Sequence, residues 1–187
     1  MSYDVDYKVM SLLIGGPRYC DRARELLGGV SDGLLRSLAL RVVEACFSGD
    51  SDAVRTQYTS CFVNDYKGVP CPPYESWYRE GRLYGRVVHE LSTWYRKRGV
   101  YPAALPEDHA SVILEFASFL YASGSPEDAD RFVSEHVISW MGRLASDVLA
   151  KCGGEYAAAL GRLLSAFIDR EASRLSGQSM DIDMNSK

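Results

Sequence analysis

The spacing of apolar residues constrains this chain more than any other feature of its sequence. Apolar side chains recur three or four residues apart almost throughout, and no stretch shows the sustained apolar–polar alternation of a strand. Glycine or proline interrupts the pattern, as at Gly15-Gly16-Pro17 and Gly153-Gly154. The sequence therefore predicts an all-α fold, a single irregular bundle of about eight or nine helices around one core.

Length and composition are consistent with one globular body. The chain has 187 residues, of which 47% are hydrophobic and 25% charged, ordinary values for a folded domain. We expect a helical domain over residues 1–175. A polar tail, residues 176–187, is expected to be disordered because it offers little apolar surface to bury.

The charge balance argues against two classes of partner. Lys and Arg number 21 against 25 Asp and Glu, a net charge of -4, so nothing draws the chain as a whole to a phosphate backbone, and no nucleic-acid partner is expected. No apolar run reaches the ~20 residues of a membrane-spanning helix, and the acidic first residues lack the basic start of a signal peptide. We expect a cytoplasmic protein without direct membrane insertion.

The cysteines give no sign of a metal or redox site. Their number is odd, they are scattered, and none forms a CxxC pair; they are Cys20, Cys46, Cys61, Cys71 and Cys152. We expect reduced thiols, no metal ion and no bound cofactor. Four should lie in or beside helix faces, whereas Cys71, between Pro70 and Pro72, is expected to be exposed.

Two helix boundaries bear on function. Apolar and aromatic residues from Trp77 to Tyr95, Tyr84 among them, predict one long helix that ends at Gly99. Pro106 predicts the first turn of the next helix, where Asp108 would complement the positive end of the helix dipole.

Signatures of catalysis are weak. His89-Glu90 begins like a zinc protease motif, but the position four residues after His89 is Thr93, and the chain has neither a P-loop nor a GxSxG elbow. A hydrolase using Asp108 and His109 is the enzyme alternative. Adjacent helical residues point about 100° apart and no nucleophile is evident, so the sequence predicts a protein that is not an enzyme.

Two proline-led segments have unusual local composition. The first is Pro72-Pro73-Tyr74-Glu75-Ser76-Trp77-Tyr78 and the second is Leu105-Pro106-Glu107-Asp108-His109. Each can be a rigid helix entry with core aromatics and a capping acid. Each can also line the mouth of an apolar groove whose carboxylates bind a peptide with basic and apolar residues.

Taken in order, these segments resemble the TorD/DmsD/NarJ family of cytoplasmic chaperones for molybdoenzymes. Further matching positions are Leu114-Glu115-Phe116, Glu135-His136, Trp140 and Tyr156. The resemblance covers most of the chain from about Phe62 to Ile168. It implies an all-helical chaperone without catalytic activity, as a monomer or homodimer.

The resemblance also implies a partner and a site. The partner is the catalytic subunit of a molybdopterin oxidoreductase, often bound through its twin-arginine leader and kept competent for cofactor insertion, assembly or export. A helical adaptor or regulator that binds an unrelated protein through an apolar groove is the alternative. The candidate residues for binding the client are Tyr74, Glu75, Trp77, Tyr78, Pro106, Asp108, His109 and Glu115.

Overall fold

The protein is a bundle of α-helices, seen in a computed structural model that describes residues 3–48 and 50–184, with side chains as far as residue 177. No strand occurs in these ranges, so the predicted all-α class is confirmed. Helices α8 and α9 run on through a π turn, Ser134–Ile138, which makes the predicted count of about nine helices correct for the described residues. The helices are α1 Asp4–Ile14, α2 Cys20–Leu26, α3 Gly33–Phe47, α4 Ser51–Phe62, α5 Glu75–Glu80, α6 Val87–Lys97, α7 Ala110–Ala122, α8 Pro126–Val133, α9 Ser139–Lys151 and α10 Glu155–Met184.

One core runs through the bundle. Helix α1 packs on α7, and α10 packs on both α3 and α9. Large side chains fill the space between them, among them Tyr7, Phe132, Trp140 and Phe167, each at most 1% exposed. Buried hydroxyls find partners: Tyr7 donates to Glu171 at 2.7 Å, as burial of a polar group requires.

The predicted long helix from Trp77 to Tyr95 is wrong, because the chain breaks there into α5 and α6. Gly81 ends α5 with φ at +70°, a conformation that glycine adopts without strain. The Glu80 carboxylate then accepts hydrogen bonds from the backbone amides of Arg86 and Val87, at 3.0 and 2.9 Å, and so caps the start of α6. Tyr84, in the intervening loop, is 76% exposed instead of buried.

Helix α7 also begins later than the sequence predicts. Pro106 lies in a turn in which the amide of His109 donates to its carbonyl at 3.1 Å, and the helix starts at Ala110. His109 is the N-cap: its Nδ1 accepts from the amide of Ser111 at 3.2 Å. Asp108 does not cap this helix, because its side chain is engaged by α5.

The expectation of reduced thiols is contradicted at four positions. Disulfides join Cys20 to Cys46 and Cys61 to Cys152, with Cα atoms 6.5 and 5.5 Å apart. Their partners are 26 and 91 residues apart in sequence, so only packing of the helices reveals them. Cys71 keeps a free thiol, but it is buried rather than exposed.

The C-terminal helix passes the predicted domain boundary. The backbone of α10 continues through Ser176 to Met184, where the sequence predicts a tail without structure, and residues 185–187 lie outside the described part. The boundary at residue 175 stays a prediction. No described helix is long and apolar enough to span a bilayer.

Candidate functional site

The two proline-led segments, far apart in sequence, are paired in space. Tyr74 and His109 form an isolated antiparallel bridge. The amide of Glu75 donates to the carbonyl of Asp108 at 2.9 Å, and the amide of Ala110 donates to that of Pro73 at 2.8 Å. The rings of Tyr74 and His109 meet edge to face, with centroids 5.2 Å apart. One short stretch of paired backbone therefore fixes the starts of both α5 and α7.

Asp108 holds this junction together from the inside. Its carboxylate accepts hydrogen bonds from the backbone amide of Ser76, at 3.2 Å, and from the Ser76 hydroxyl. Asp108 is 1% exposed and Ser76 is fully buried. The carboxylate thus satisfies an amide in the first turn of α5 that would otherwise be buried without a partner.

Glu75 is also turned inward. It is 0% exposed, and its carboxylate accepts from Arg79 at 2.6 Å and lies 3.1 Å from Nδ1 of His136 on the π turn. Burial raises the pKa of Glu75, and the hydrogen bonds to His136 and Arg79 oppose that rise. The Trp140 indole donates to the His136 carbonyl at 2.7 Å, which connects Glu75 to the core.

His109 is held neutral by its surroundings. Its side chain is 5% exposed, and desolvation lowers the pKa of His109 from 6.5 to about 4. The neutral ring lies within hydrogen-bond distance of the Ser111 hydroxyl, 2.8 Å from Nδ1, and accepts from the Ser111 amide. At neutral pH this histidine therefore caps α7 and presents an uncharged ring to the pocket beside it.

A pocket of about 1080 Å³ opens beside the paired segments. Of the predicted site residues, Tyr74, Trp77 and His109 line it. Trp77 is 42% exposed and so presents apolar surface to an incoming ligand. The rest of the apolar lining comes from five separate stretches of chain, with Pro17, Tyr58, Phe62, Val63, Val69, Pro70, Pro72, Leu83 and Leu105.

The charged residues that line this pocket are all basic. Arg18, Arg55, Lys67 and Lys151 line it, and no Asp or Glu does so among the described residues. This basic rim cannot be recognised in the sequence, because its members are scattered from residue 18 to residue 151 and only the fold brings them together. The predicted carboxylate acceptors, Glu75 and Asp108, are buried behind the pocket wall.

The remaining candidates lie away from this pocket. Glu115 lines a second pocket of about 470 Å³, on the other side of Leu105, where it pairs with Lys8. Tyr78 is 9% exposed; its ring centroid is 5.5 Å from that of Trp140, and its hydroxyl donates to Asp147 at 3.2 Å. Pro106 shapes the turn before His109 without lining either pocket.

Fold and site together define a class: an all-α protein whose two proline-led segments frame a large, mainly apolar pocket. Residues 32–146 match the family described as nitrate reductase delta subunit, and the chain belongs to that family. This confirms the resemblance to the TorD/DmsD/NarJ group that the motifs indicate.

A solved structure supports the same relationship. A crystal structure from Archaeoglobus fulgidus, assigned as a redox enzyme maturation protein, superposes with a TM-score of 0.70. It is 27% identical, and the alignment covers 90% of this chain and 95% of that one. No curated protein matches the sequence.

Proposed function

We propose that this chain is a cytoplasmic chaperone of redox enzyme maturation that binds the catalytic subunit of a molybdopterin oxidoreductase. Family membership and the likeness to a redox enzyme maturation protein support this role. The observation that carries it is the pocket framed by the two motifs, with Trp77 exposed on its wall. A partly exposed indole above a rigid, buried frame is a suitable anchor for a polypeptide.

The state of Asp108 and His109 favours binding over catalysis. The Asp108 carboxylate is engaged by Ser76, and Nδ1 of His109 caps α7. A general acid/base pair needs groups within reach of a substrate proton. Both side chains are instead occupied in holding the junction, which supports a protein without catalytic activity.

The lining of the pocket suggests which part of a client it takes. A volume of about 1080 Å³ accommodates several side chains of an extended segment, and the apolar wall suits aliphatic or aromatic ones. Two of the four rim cations already have carboxylate partners within the chain: Arg55 pairs with Asp52 at 3.3 Å and Lys151 with Asp147 at 2.8 Å. The other two, Arg18 and Lys67, favour carboxylates beside those apolar residues and disfavour arginines. For a twin-arginine leader, we propose that the apolar stretch enters the pocket and the arginines stay outside.

Capture of the client from the native host, followed by calorimetry, tests this proposal. We expect a molybdoenzyme catalytic subunit to co-purify, and Trp77→Ala to weaken its binding. Phe47→Ala is the matched control, because Phe47 is also half-exposed but lies outside the pocket. Binding that persists after removal of the leader assigns the mature subunit as the ligand.

Two outcomes would count against the proposal. Consistent capture of an unrelated protein without any molybdoenzyme subunit would favour the helical adaptor. Client binding that is equally strong in Trp77→Ala and wild-type protein would show that this pocket is not the client site. Synthetic peptides with acidic or basic flanks around the same apolar stretch then test the charge preference, which should weaken as salt screens it.

A further inference from the structure

Three cysteines from three segments converge beside the pocket. Cys61 lies near the end of α4, Cys71 in the loop between two prolines, and Cys152 directly after α9. Their Sγ atoms all lie within 4.8 Å of one another, and those of Cys71 and Cys152 are 3.4 Å apart. The family role described above does not use this cluster.

The surrounding backbone keeps the three sulfurs together. The amide of Cys71 donates to the carbonyl of Cys61 at 3.1 Å, and the amide of Cys152 donates to the last turn of α9. Cys61 and Cys71 are 3% and 0% exposed. The cluster is therefore preorganised: Cys61 and Cys152 lie at helix ends, and a backbone hydrogen bond to Cys61 fixes Cys71 in its loop.

Sulfur spacing of this kind suits a thiophilic metal ion. With zinc–sulfur bonds of about 2.3 Å, two thiolates on a tetrahedral ion lie roughly 3.8 Å apart. The 3.4 Å between Cys71 and Cys152 is close to that separation. We propose that, in the reduced protein, Cys61, Cys71 and Cys152 bind one Zn²⁺ ion, with the fourth position left to solvent or to the Asp147 carboxylate.

Reduction of the disulfide and binding of Zn²⁺ balance in electrons, protons and charge. A phosphine or dithiol reductant supplies two electrons that convert the Cys61–Cys152 disulfide into two thiols. The three thiols then lose three protons to bind Zn²⁺, leaving a net charge of minus one on the centre with water in the fourth position, or minus two with the Asp147 carboxylate there. Lys151, which interacts electrostatically with Cys71, offsets that charge.

Thiol–disulfide exchange by Cys71 is the alternative use of this cluster; it needs the Cys61–Cys152 disulfide intact, whereas metal binding needs that disulfide reduced. Burial raises the pKa of Cys71, which disfavours the thiolate that attacks a disulfide. A bound cation reverses this preference, because a coordinating thiol is deprotonated by the metal itself.

The cluster adjoins the large pocket, and Cys152 is the member that is only partly buried. Phe62, Pro70, Pro72 and Lys151, which adjoin the three cysteines in sequence, all line the large pocket. The metal centre would therefore stand directly behind the wall that we assign to the client. Metal binding is measured without a client, so its outcome is independent of that assignment.

Titration with Co²⁺ as a spectroscopic probe, followed by Zn²⁺ displacement, tests the site. Protein reduced with a phosphine and desalted under anaerobic conditions should bind one Co²⁺, with thiolate charge-transfer absorption that Zn²⁺ abolishes. Cys71→Ser should weaken binding by more than the ~10–100-fold typical of losing an outer-shell contact. Cys46→Ser is the matched control and should leave the metal spectrum unchanged, since Cys46 pairs elsewhere with Cys20.

A measurement without substitutions covers the case in which Cys71→Ser fails to fold. Zn²⁺ should slow the alkylation of Cys61, Cys71 and Cys152 relative to the zinc-free reduced wild-type protein, as read by peptide mass spectrometry. The alkylation rates of Cys20 and Cys46, which are also buried, should be the same with and without Zn²⁺. Absence of a thiolate–cobalt band, equal protection of all five cysteines, or the same binding by the oxidised protein would each overturn the proposal.

Discussion

The carboxylate of Asp108 caps a helix that begins more than thirty residues earlier, by accepting hydrogen bonds from the amide and the hydroxyl of Ser76. These two hydrogen bonds tie the second proline-led segment to the first turn of α5, which the first segment begins. The wall of the pocket is rigid because each segment completes the hydrogen bonding of the other.

The first prediction concerns this cap. Asp108→Ala should lower the free energy of unfolding by about 1–3 kcal/mol, because it leaves the buried amide and hydroxyl of Ser76 without an acceptor. Asp108→Asn keeps an acceptor oxygen and should cost less. Urea denaturation measures both, with Glu107→Ala as the neighbouring control, expected within about 0.5 kcal/mol of wild type. If Asp108→Ala is as stable as that control but binds client poorly, Asp108 contacts the client instead.

The second prediction is a loss of stability in acid that His109 causes. The folded protein holds His109 with a pKa of about 4, against 6.5 for an ordinary histidine. The unfolded chain therefore binds the proton more readily, and stability decreases as the pH falls from about 6.5 towards 4. At about 1.4 kcal/mol per pKa unit, this shift corresponds to roughly 3 kcal/mol.

His109→Asn isolates that contribution. Asparagine is a favourable N-cap residue, so the variant should keep the cap of α7 while removing the titrating group. The difference in unfolding free energy between wild type and His109→Asn should change by about 3 kcal/mol from pH 7 to pH 4. The raised pKa of Glu75 acts in both proteins and cancels. A difference that does not vary with pH would contradict a buried, neutral His109.

The third prediction separates binding from stability at Trp77. With the residue 42% exposed, Trp77→Ala should cost clearly less than the ~3–5 kcal/mol typical of a buried tryptophan. Trp140→Ala is the matched comparison, because Trp140 is 1% exposed and should show the full cost. Thermal unfolding of the two variants measures both losses of stability. Similar losses in both would place Trp77 in the core.

The fourth prediction concerns the disulfides. In denaturant without a reductant, one thiol per chain should react, since Cys71 alone is unpaired in the described structure. Cys46→Ser should lower stability by about 2–4 kcal/mol, because the unfolded chain is no longer closed into a loop. Thiol counting and urea denaturation check the two statements. Five reactive thiols in protein isolated from its host would show that the pairs are reduced there.

Much of the fold follows from local sequence. Helix α1 spans Asp4–Ile14 and ends where Gly15-Gly16-Pro17 interrupts the apolar spacing. Helix α8 begins at Pro126, a residue favoured in the first turn of a helix. Such signals act within one or two turns, so a sequence carries them by itself. The break between α5 and α6 cannot be predicted in this way, because the apolar spacing continues through it. The Glu80 carboxylate stabilises the break by capping α6, and that contact is not visible in the apolar pattern.

The candidate site likewise has features that the sequence determines and features that only the tertiary structure decides. Sequence alone determined that two proline-led motifs carry Tyr74, Trp77 and His109, because residue types and local order are properties of the chain. Tertiary structure decided that Glu75 and Asp108 point inward, that four scattered cations form the rim, and that Cys61, Cys71 and Cys152 meet. Those relations join residues from distant segments, and only the packing of helices fixes such distances.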